Sequence, residues 1–427
     1  MTASAPPLAP TPQQLAWQSW GIGLFVHVGV NTFRGVEWSD GTIPPAAFDP
    51  SDLDAREWVE AARAIGARYL VLTAKHHDGF CLWPTATTDY SVASSPWRDG
   101  RGDVVAEVAR ACREAGIGLG LYLSPWDRNA PAYADPDAYA DLYVAQLTEL
   151  CTRYGPLVEL WFDGAGSEGY RYDWRRIMDV ARTHQPDAMV FNMGDPTIRW
   201  VGNEDGLATD PVEYVVTHSQ MSNYTVETIE HADALYLPPE CDVSLRRGWF
   251  WRADDEPKSL EHLLAIYYRS VGLGANLLLN VPPDDRGRLD PADLARVEEL
   301  GAELRRRFAD PVRVTPTESA THAGGSTWRV EVPAARAFDH VRLVEDLRDG
   351  QRVVSHRVLR DGAVIAEGGT VGAGRLHIVA TPGDGALEIE LTGAGARLAE
   401  VLLHDVGDVT PPRIPAGYTA PTDYPES

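Results

Sequence analysis

Asp163 closes the run Glu159-Leu160-Trp161-Phe162-Asp163, which puts a carboxylate at the exit of an apolar segment, beside aromatic side chains and before Gly164 and Ala165. A carboxylate buried there is costly unless its charge is used or neutralised, so the position suits a nucleophile or a general base. Capping the next helix or opening a turn is the plainer alternative. Glycoside hydrolysis is one chemistry that uses such a group, and it needs a second carboxyl. The separation is about 5–5.5 Å in retaining enzymes and about 6.5–9.5 Å in inverting ones. Downstream candidates are Glu204 in Arg199-Trp200-Val201-Gly202-Asn203-Glu204, then Asp205, Asp210, Glu213 and Glu240. Glu204 follows a Gly/Asn turn from which an acid could swing over a leaving-group oxygen; otherwise it is an ordinary solvated loop acid.

Other apolar runs also end in polar groups. These are His27, the stretch Lys75-His76-His77-Asp78, then Tyr122, Ser124, Trp126 and Asp127, then Asn192, Asp195 and Asn280. Adjacent strand residues point to opposite faces, so His76 and His77 are not expected to share one metal ion. No metal site is expected. One of the two suits donation to a polyol hydroxyl, the other a satisfied core histidine. Glu37-Trp38, Trp83, Trp126, Trp161, Trp200, Trp249 and Trp251 offer flat faces on which sugar C–H groups stack, although many of the 13 tryptophans must be core.

The elements that must carry these groups are short, nearly continuous apolar runs: Gly21 to Gly29, Tyr69 to His76, Gly116 to Ser124, Val158 to Gly164, Ala188 to Met193 and Ala275 to Pro283. Such runs fit parallel strands buried on both faces. Amphipathic segments lie between them, several opening on Asp or Ser and ending near Gly. The alternation predicts an α/β fold, an irregular (β/α)8-type barrel, with helices hard to find between Asn192 and Ser259. No strand opens into G-x-G-x-x-G, which argues against a doubly wound sheet. After Asp310 apolar and polar residues alternate between Gly, Pro and Asp turns, predicting a C-terminal antiparallel β-sandwich. The expected division is a barrel domain over 1–310 and a sandwich over 311–427, ending in a Pro-rich tail from Pro411.

The 427 residues carry 62 acidic and 38 basic side chains, a formal charge of −24, which argues against a phosphate-backbone partner. The four cysteines form no C-x-x-C pair. No basic-then-apolar leader and no membrane-spanning run is evident, so a cytoplasmic, membrane-free location is the expectation.

The stretches GIGLFVHVGVNTF, VEWSDG, LTAKHHDGFCLWPT, GLGLYLSPWD, VELWFDGAG, RWVGNEDG and SVGLGANLLLNVPPDDRG together resemble glycoside hydrolase family 29, the α-L-fucosidases. FDHVRLVEDLRDGQRV is similar to that family's β-sandwich. The resemblance implies a retaining, cofactor-free enzyme acting on fucosylated oligosaccharides. It implies Asp163 as nucleophile and His27, Glu37, Trp38, His76, His77, Tyr122 and Trp161 as lining of the sugar pocket. The WVGNE run looks like the α-1,3/1,4-specific branch, in which the acid/base matches Glu204, with Glu240 as second choice. Two departures stand out: Val28 follows His27 where many members carry an aromatic, and the barrel is compact. The alternatives are a broad-specificity fucosidase, a non-catalytic fucose-binding barrel and a metal-dependent hydrolase.

Overall fold

The computed structural model describes residues 8–220, 228–322, 324–333, 337–379 and 385–418. Its strands begin with β1 (Ile22–Val26), β2 (Tyr69–Lys75), β3 (Gly118–Leu123), β4 (Glu159–Trp161), β5 (Met189–Phe191) and β6 (Arg199–Trp200). A hairpin of β7 (Val215–Gln220) and β8 (Thr228–Tyr236) follows, then β9 (Pro239–Ser244) and β10 (Asn276–Asn280). Eight of these form one parallel sheet in the order β5-β4-β3-β2-β1-β10-β9-β6. A parallel bridge between Phe191 and Ile198 joins its two edges, so the sheet closes into the expected barrel. Every residue of β1, β2 and β10 is buried, one face by the barrel interior and the other by helices.

The helices are α1 (Pro12–Gln18), α2 (Ala55–Ala64), α3 (Val104–Ala115), α4 (Pro136–Arg153), α5 (Trp174–His184), α6 (Leu260–Arg269) and α7 (Pro291–Phe308). Thr11, Asp54, Asp103, Asp135, Asp173, Ser259 and Asp290 cap them, each side-chain oxygen accepting a first-turn N–H. Helix α1 plugs the end of the barrel at which the strands begin. Trp17 donates through Nε1 to Glu159 (3.1 Å) and accepts from Asn276 through its carbonyl (2.9 Å), both first residues of strands. Among the described residues no helix is long and apolar enough to cross a membrane.

Apolar periodicity marks six of the eight barrel strands and misses β6 and β9, which read as acid-bearing loops. The physical reason is local. Strand β6 has two residues, and β9 carries Glu240 and Asp242 two apart, both buried and turned into the barrel, so no apolar run announces it. Between α5 and α6 the described residues hold no helix; the β7–β8 hairpin stands there instead.

The strands after α7 form two antiparallel sheets. One orders Val312–Val314, Leu398–His404, His340–Glu345 and Arg375–Ile378; the other orders Thr317–His322, Gly325–Glu331, Ala386–Thr392, Ser355–Arg360 and Ala363–Gly368. Alternate residues, such as Leu387, Ile389 and Leu391, point into a core of their own. This module meets the barrel through polar contacts, including a bidentate Arg375–Asp210 pair at 2.8 and 2.7 Å. The tail returns to the barrel, where the Tyr418 ring lies 4.5 Å from that of His262. Its last stretch, 419–427, lies outside the described residues.

Candidate active site

Asp163 stands just beyond β4 at the barrel mouth with 24% of its side chain exposed. Its Oδ2 accepts the Tyr122 hydroxyl at 3.0 Å and lies 3.4 Å from His77 Nε2, while Oδ1 accepts the Ala165 N–H at 2.9 Å. Burial by itself raises this carboxyl's pKa. The His77, Ala165 and Tyr122 donors outweigh it, and the net shift is downward. The group is held as a carboxylate.

Strand β2 delivers the histidines. It ends at Lys75, whose buried ammonium is gripped by Asp127 (3.0 Å), Gln146 (2.9 Å) and Tyr139 (3.3 Å). Beyond that anchor the strand alternation stops, so the expectation of opposite faces for His76 and His77 fails: their ring centroids are 4.2 Å apart. The His76 ring stacks on Tyr122 at 5.7 Å and meets the edge of Phe250 at 5.0 Å. Burial first, then the neighbouring His77 and His27, push its pKa well below 6.5, and its Nδ1 has no hydrogen-bond partner among the described residues.

His27, from the end of β1, is fixed in one tautomer. Asn280 spends its amide hydrogens on the Ser244 hydroxyl and the Trp249 carbonyl, both at 2.9 Å, so its Oδ1 must accept from His27 Nδ1 at 2.9 Å. Burial lowers the His27 pKa to about 3, which leaves Nε2 as an acceptor in a neutral ring. Among the described residues no three His, Cys, Asp or Glu side chains are arranged to hold a metal ion.

Glu204 reaches the same mouth from the loop after β6. A bridge between Asp205 and Val243 pins this loop to β9, and Gly202 (φ +98°) makes its turn in the left-handed region that favours glycine. Trp249 Nε1 lies 3.4 Å from Glu204 Oε2. Burial raises the Glu204 pKa well above 4.5, and the charges of Asp242 and Asp163 add to it against the Trp249 donor. Asp242, on β9, accepts Trp200 Nε1 at 2.6 Å and is raised in the same direction by burial. Glu240 is wholly buried deeper in the barrel. It accepts the Tyr69 hydroxyl and Trp161 Nε1 (3.0 Å) beside the equally buried Glu159.

Aromatic rings form the rim. Trp38 stands 5.3 Å from the His77 ring and 5.5 Å from Trp126. Trp161 is largely sandwiched inside the barrel, 3.8 Å from Phe191 and 5.4 Å from Tyr122. Glu37 accepts the Trp249 N–H at 2.7 Å, tying that wall to the loop after β1, and burial raises its pKa to about 7. Sequence reasoning missed Asp242 and Phe250. The two-residue spacing of Glu240 and Asp242 was the available signal for a strand with an acidic inner face. For Phe250, placed by a loop, no local signal existed.

A carboxylate, a carboxyl whose pKa is raised and histidines with open acceptors around one partly exposed mouth can perform general acid/base and nucleophilic chemistry on a polyol. Comparison with known proteins agrees with that chemistry. The α-L-fucosidase family model matches residues 34–307. The α-L-fucosidase 1 of Arabidopsis thaliana is 45% identical over 69% of this chain and 60% of its own length. A relative from Oryza sativa subsp. japonica whose name carries the same designation is 41% identical over 91% of this chain and 84% of its own. Among solved structures, one from Bacteroides ovatus assigned to the α-L-fucosidases superposes with a TM-score of 0.87 at 38% identity, covering 96% of this chain and 76% of that one. A Ruminococcus gnavus fucosidase in complex with fucose gives 0.81 at 28% identity, over 95% and 97%.

Proposed function

The chain belongs to the α-L-fucosidase family of glycoside hydrolases, and from that premise we propose that it removes terminal fucose by a retaining double displacement. The observation that carries the proposal is the opposite electrostatic treatment of two carboxyls at one barrel mouth: the Asp163 pKa is pushed down, toward the ionised form, and the Glu204 pKa is pushed up, toward the protonated form. Asp163 attacks the anomeric carbon while Glu204 gives its proton to the leaving oxygen. Water then attacks the same carbon, its proton passes to Glu204, and fucose leaves with retention. Glu240 is sealed beneath this site and already bonded by Tyr69 and Trp161, so it serves the barrel interior rather than the leaving group. His27 and His76 offer unprotonated nitrogens to the sugar hydroxyls, with Tyr122, Trp38 and the Glu37-held Trp249 as walls.

For the substrate we propose terminal α-1,3/1,4-linked fucose on branched oligosaccharides. The support is the run Trp200-Val201-Gly202-Asn203-Glu204, which carries the acid in the loop beside the hairpin. The test is a screen of Lewis-type trisaccharides, 2-fucosyl substrates and an aryl fucoside, with wild type and Asp163→Asn side by side. Cleavage of the trisaccharides, weak action on the others and a fall of at least about a thousandfold in the variant are expected. Fast hydrolysis of 2-fucosyl substrates would overturn the linkage proposal, and an active Asp163→Asn would overturn the nucleophile.

A further inference from the structure

We propose that His77 carries a proton on each ring nitrogen in the resting site, and that Ser124 is the positioning residue that fixes this state. The consequence for turnover rests on the reading of Asp163 as nucleophile; the protonation state itself does not.

Ser124 follows β3, and its side chain is wholly buried. Its Oγ lies 2.7 Å from the Trp126 carbonyl oxygen and 2.7 Å from His77 Nδ1. A hydroxyl has one proton, and a carbonyl can only accept. The Ser124 proton is therefore committed to Trp126, and the contact with the ring requires an N–H on Nδ1 that donates to Oγ. On the opposite side of the ring, Nε2 is 3.4 Å from Asp163 Oδ2. A neutral ring already protonated at Nδ1 would turn a lone pair on that carboxylate; a second proton on Nε2 converts the contact into an ion pair.

Two carboxyl groups and a set of aromatic rings surround the His77 ring. Asp163 faces it from the end of β4 and Asp78 from its own turn, and both are within electrostatic reach. Tyr122 of β3 and the rings of His76 and His27 complete the wall, the two histidines being kept neutral by burial. The rings of Trp126 and Trp38 stand 5.2 and 5.3 Å away, inside the roughly 6 Å range of cation–π attraction.

A fixed cation beside Asp163 acts on the second half of the reaction. When water bonds to the anomeric carbon and gives its proton to Glu204, the bond from that carbon to Asp163 breaks and its electron pair returns to the carboxylate. The imidazolium stabilises the departing charge, and a neutral ring does so less well.

Neutron diffraction from deuterium-exchanged crystals at pH 7 tests the protonation state without any assay. An unperturbed histidine would be mostly neutral at that pH. Deuterium on both His77 nitrogens, with the Ser124 deuterium directed at the Trp126 carbonyl, is expected. A single deuterium on the ring, or a hydroxyl aimed at Nδ1, overturns the proposal. Ser124→Ala supplies the kinetic arm, because loss of Oγ leaves Nδ1–H without an acceptor and favours a neutral ring protonated at Nε2. On an aryl fucoside limited by breakdown of the glycosyl-enzyme, kcat should fall about tenfold or more while kcat/KM changes by less than about threefold. Equal falls in both would mark a merely structural serine and overturn the positioning role. A wild type that cleaves no fucoside sinks the functional reading instead and leaves the neutron result standing.

Discussion

At the residue scale the site depends on two carboxyls pushed in opposite directions. The proposed double displacement needs Asp163 ionised and Glu204 protonated, so kcat/KM should rise as pH climbs through the lowered Asp163 value and fall as it passes the raised Glu204 value. Glu204→Gln should lose the alkaline limb when assayed on an aryl fucoside with a good leaving group. Glu204→Ala should be rescued by azide, which takes the place of the water that Glu204 activates in the proposed mechanism. A limb that persists in Glu204→Gln, or azide rescue found in Glu240→Ala instead, would move the acid/base role away from Glu204. The sequence exposed Asp163 because an acid at the end of an apolar run is conspicuous. It left Glu204 and Glu240 as alternatives because one-dimensional spacing cannot tell a half-buried acid at a mouth from a sealed one within a barrel.

At the element scale, two contacts hold the loops that wall the mouth. Glu37 binds the Trp249 backbone from a different loop, so Glu37→Ala should free the tryptophan wall and lower kcat/KM by roughly tenfold, mostly through KM, with Tm little changed. A kcat loss with constant KM would show that Glu37 serves the chemistry instead of the wall. Gly166, in the loop after β4, has φ +77°, and an added Cβ would stand 2.0 Å from Trp126 Cζ3. Gly166→Ala must displace either the loop that follows Asp163 or the ring of Trp126, the residue whose backbone carbonyl accepts from Ser124. Activity should fall at least tenfold while the melting transition stays cooperative, as steady-state kinetics and calorimetry would report.

At the scale of the whole molecule, buried titratable groups set the pH dependence of stability. Burial pushes His27 and His377 down to about 3 and His262, His356 and His404 to about 4. For a base lowered from roughly 6.5, the unfolded chain takes up its proton first. The stability these groups contribute is thus present above pH 6.5 and lost as pH falls toward 4 and 3. Glu37, raised to about 7, and Asp78 and Asp293, raised to about 6, act in the opposite sense, contributing stability at low pH that is lost as pH rises through those values. The barrel holds both kinds of group, whereas His356 and His377 meet at 2.7 Å in the module, next to the Arg375–Asp210 pair at the seam. A His356→Gln/His377→Gln double variant should therefore flatten the fall of Tm between pH 6.5 and 4. An unchanged slope would show that the seam does not titrate.

The sequence by itself determined the barrel-and-sandwich architecture, the capped helices and the residues that could do chemistry. Apolar runs, alternation and caps are local patterns, and an acid or histidine at the end of a buried strand stands out against them. Tertiary structure alone decided the rest. The strand that carries Glu240 and Asp242 has an acidic inner face, so its place in the barrel is visible only once Tyr69, Trp161 and Trp200 are seen donating to it. His76 and His77 share a wall because β2 ends one residue before them, at the Lys75 anchor. Which carboxyl is ionised and which protonated depends on burial and on donors brought from strands far apart in the chain, and no spacing along the sequence encodes those distances.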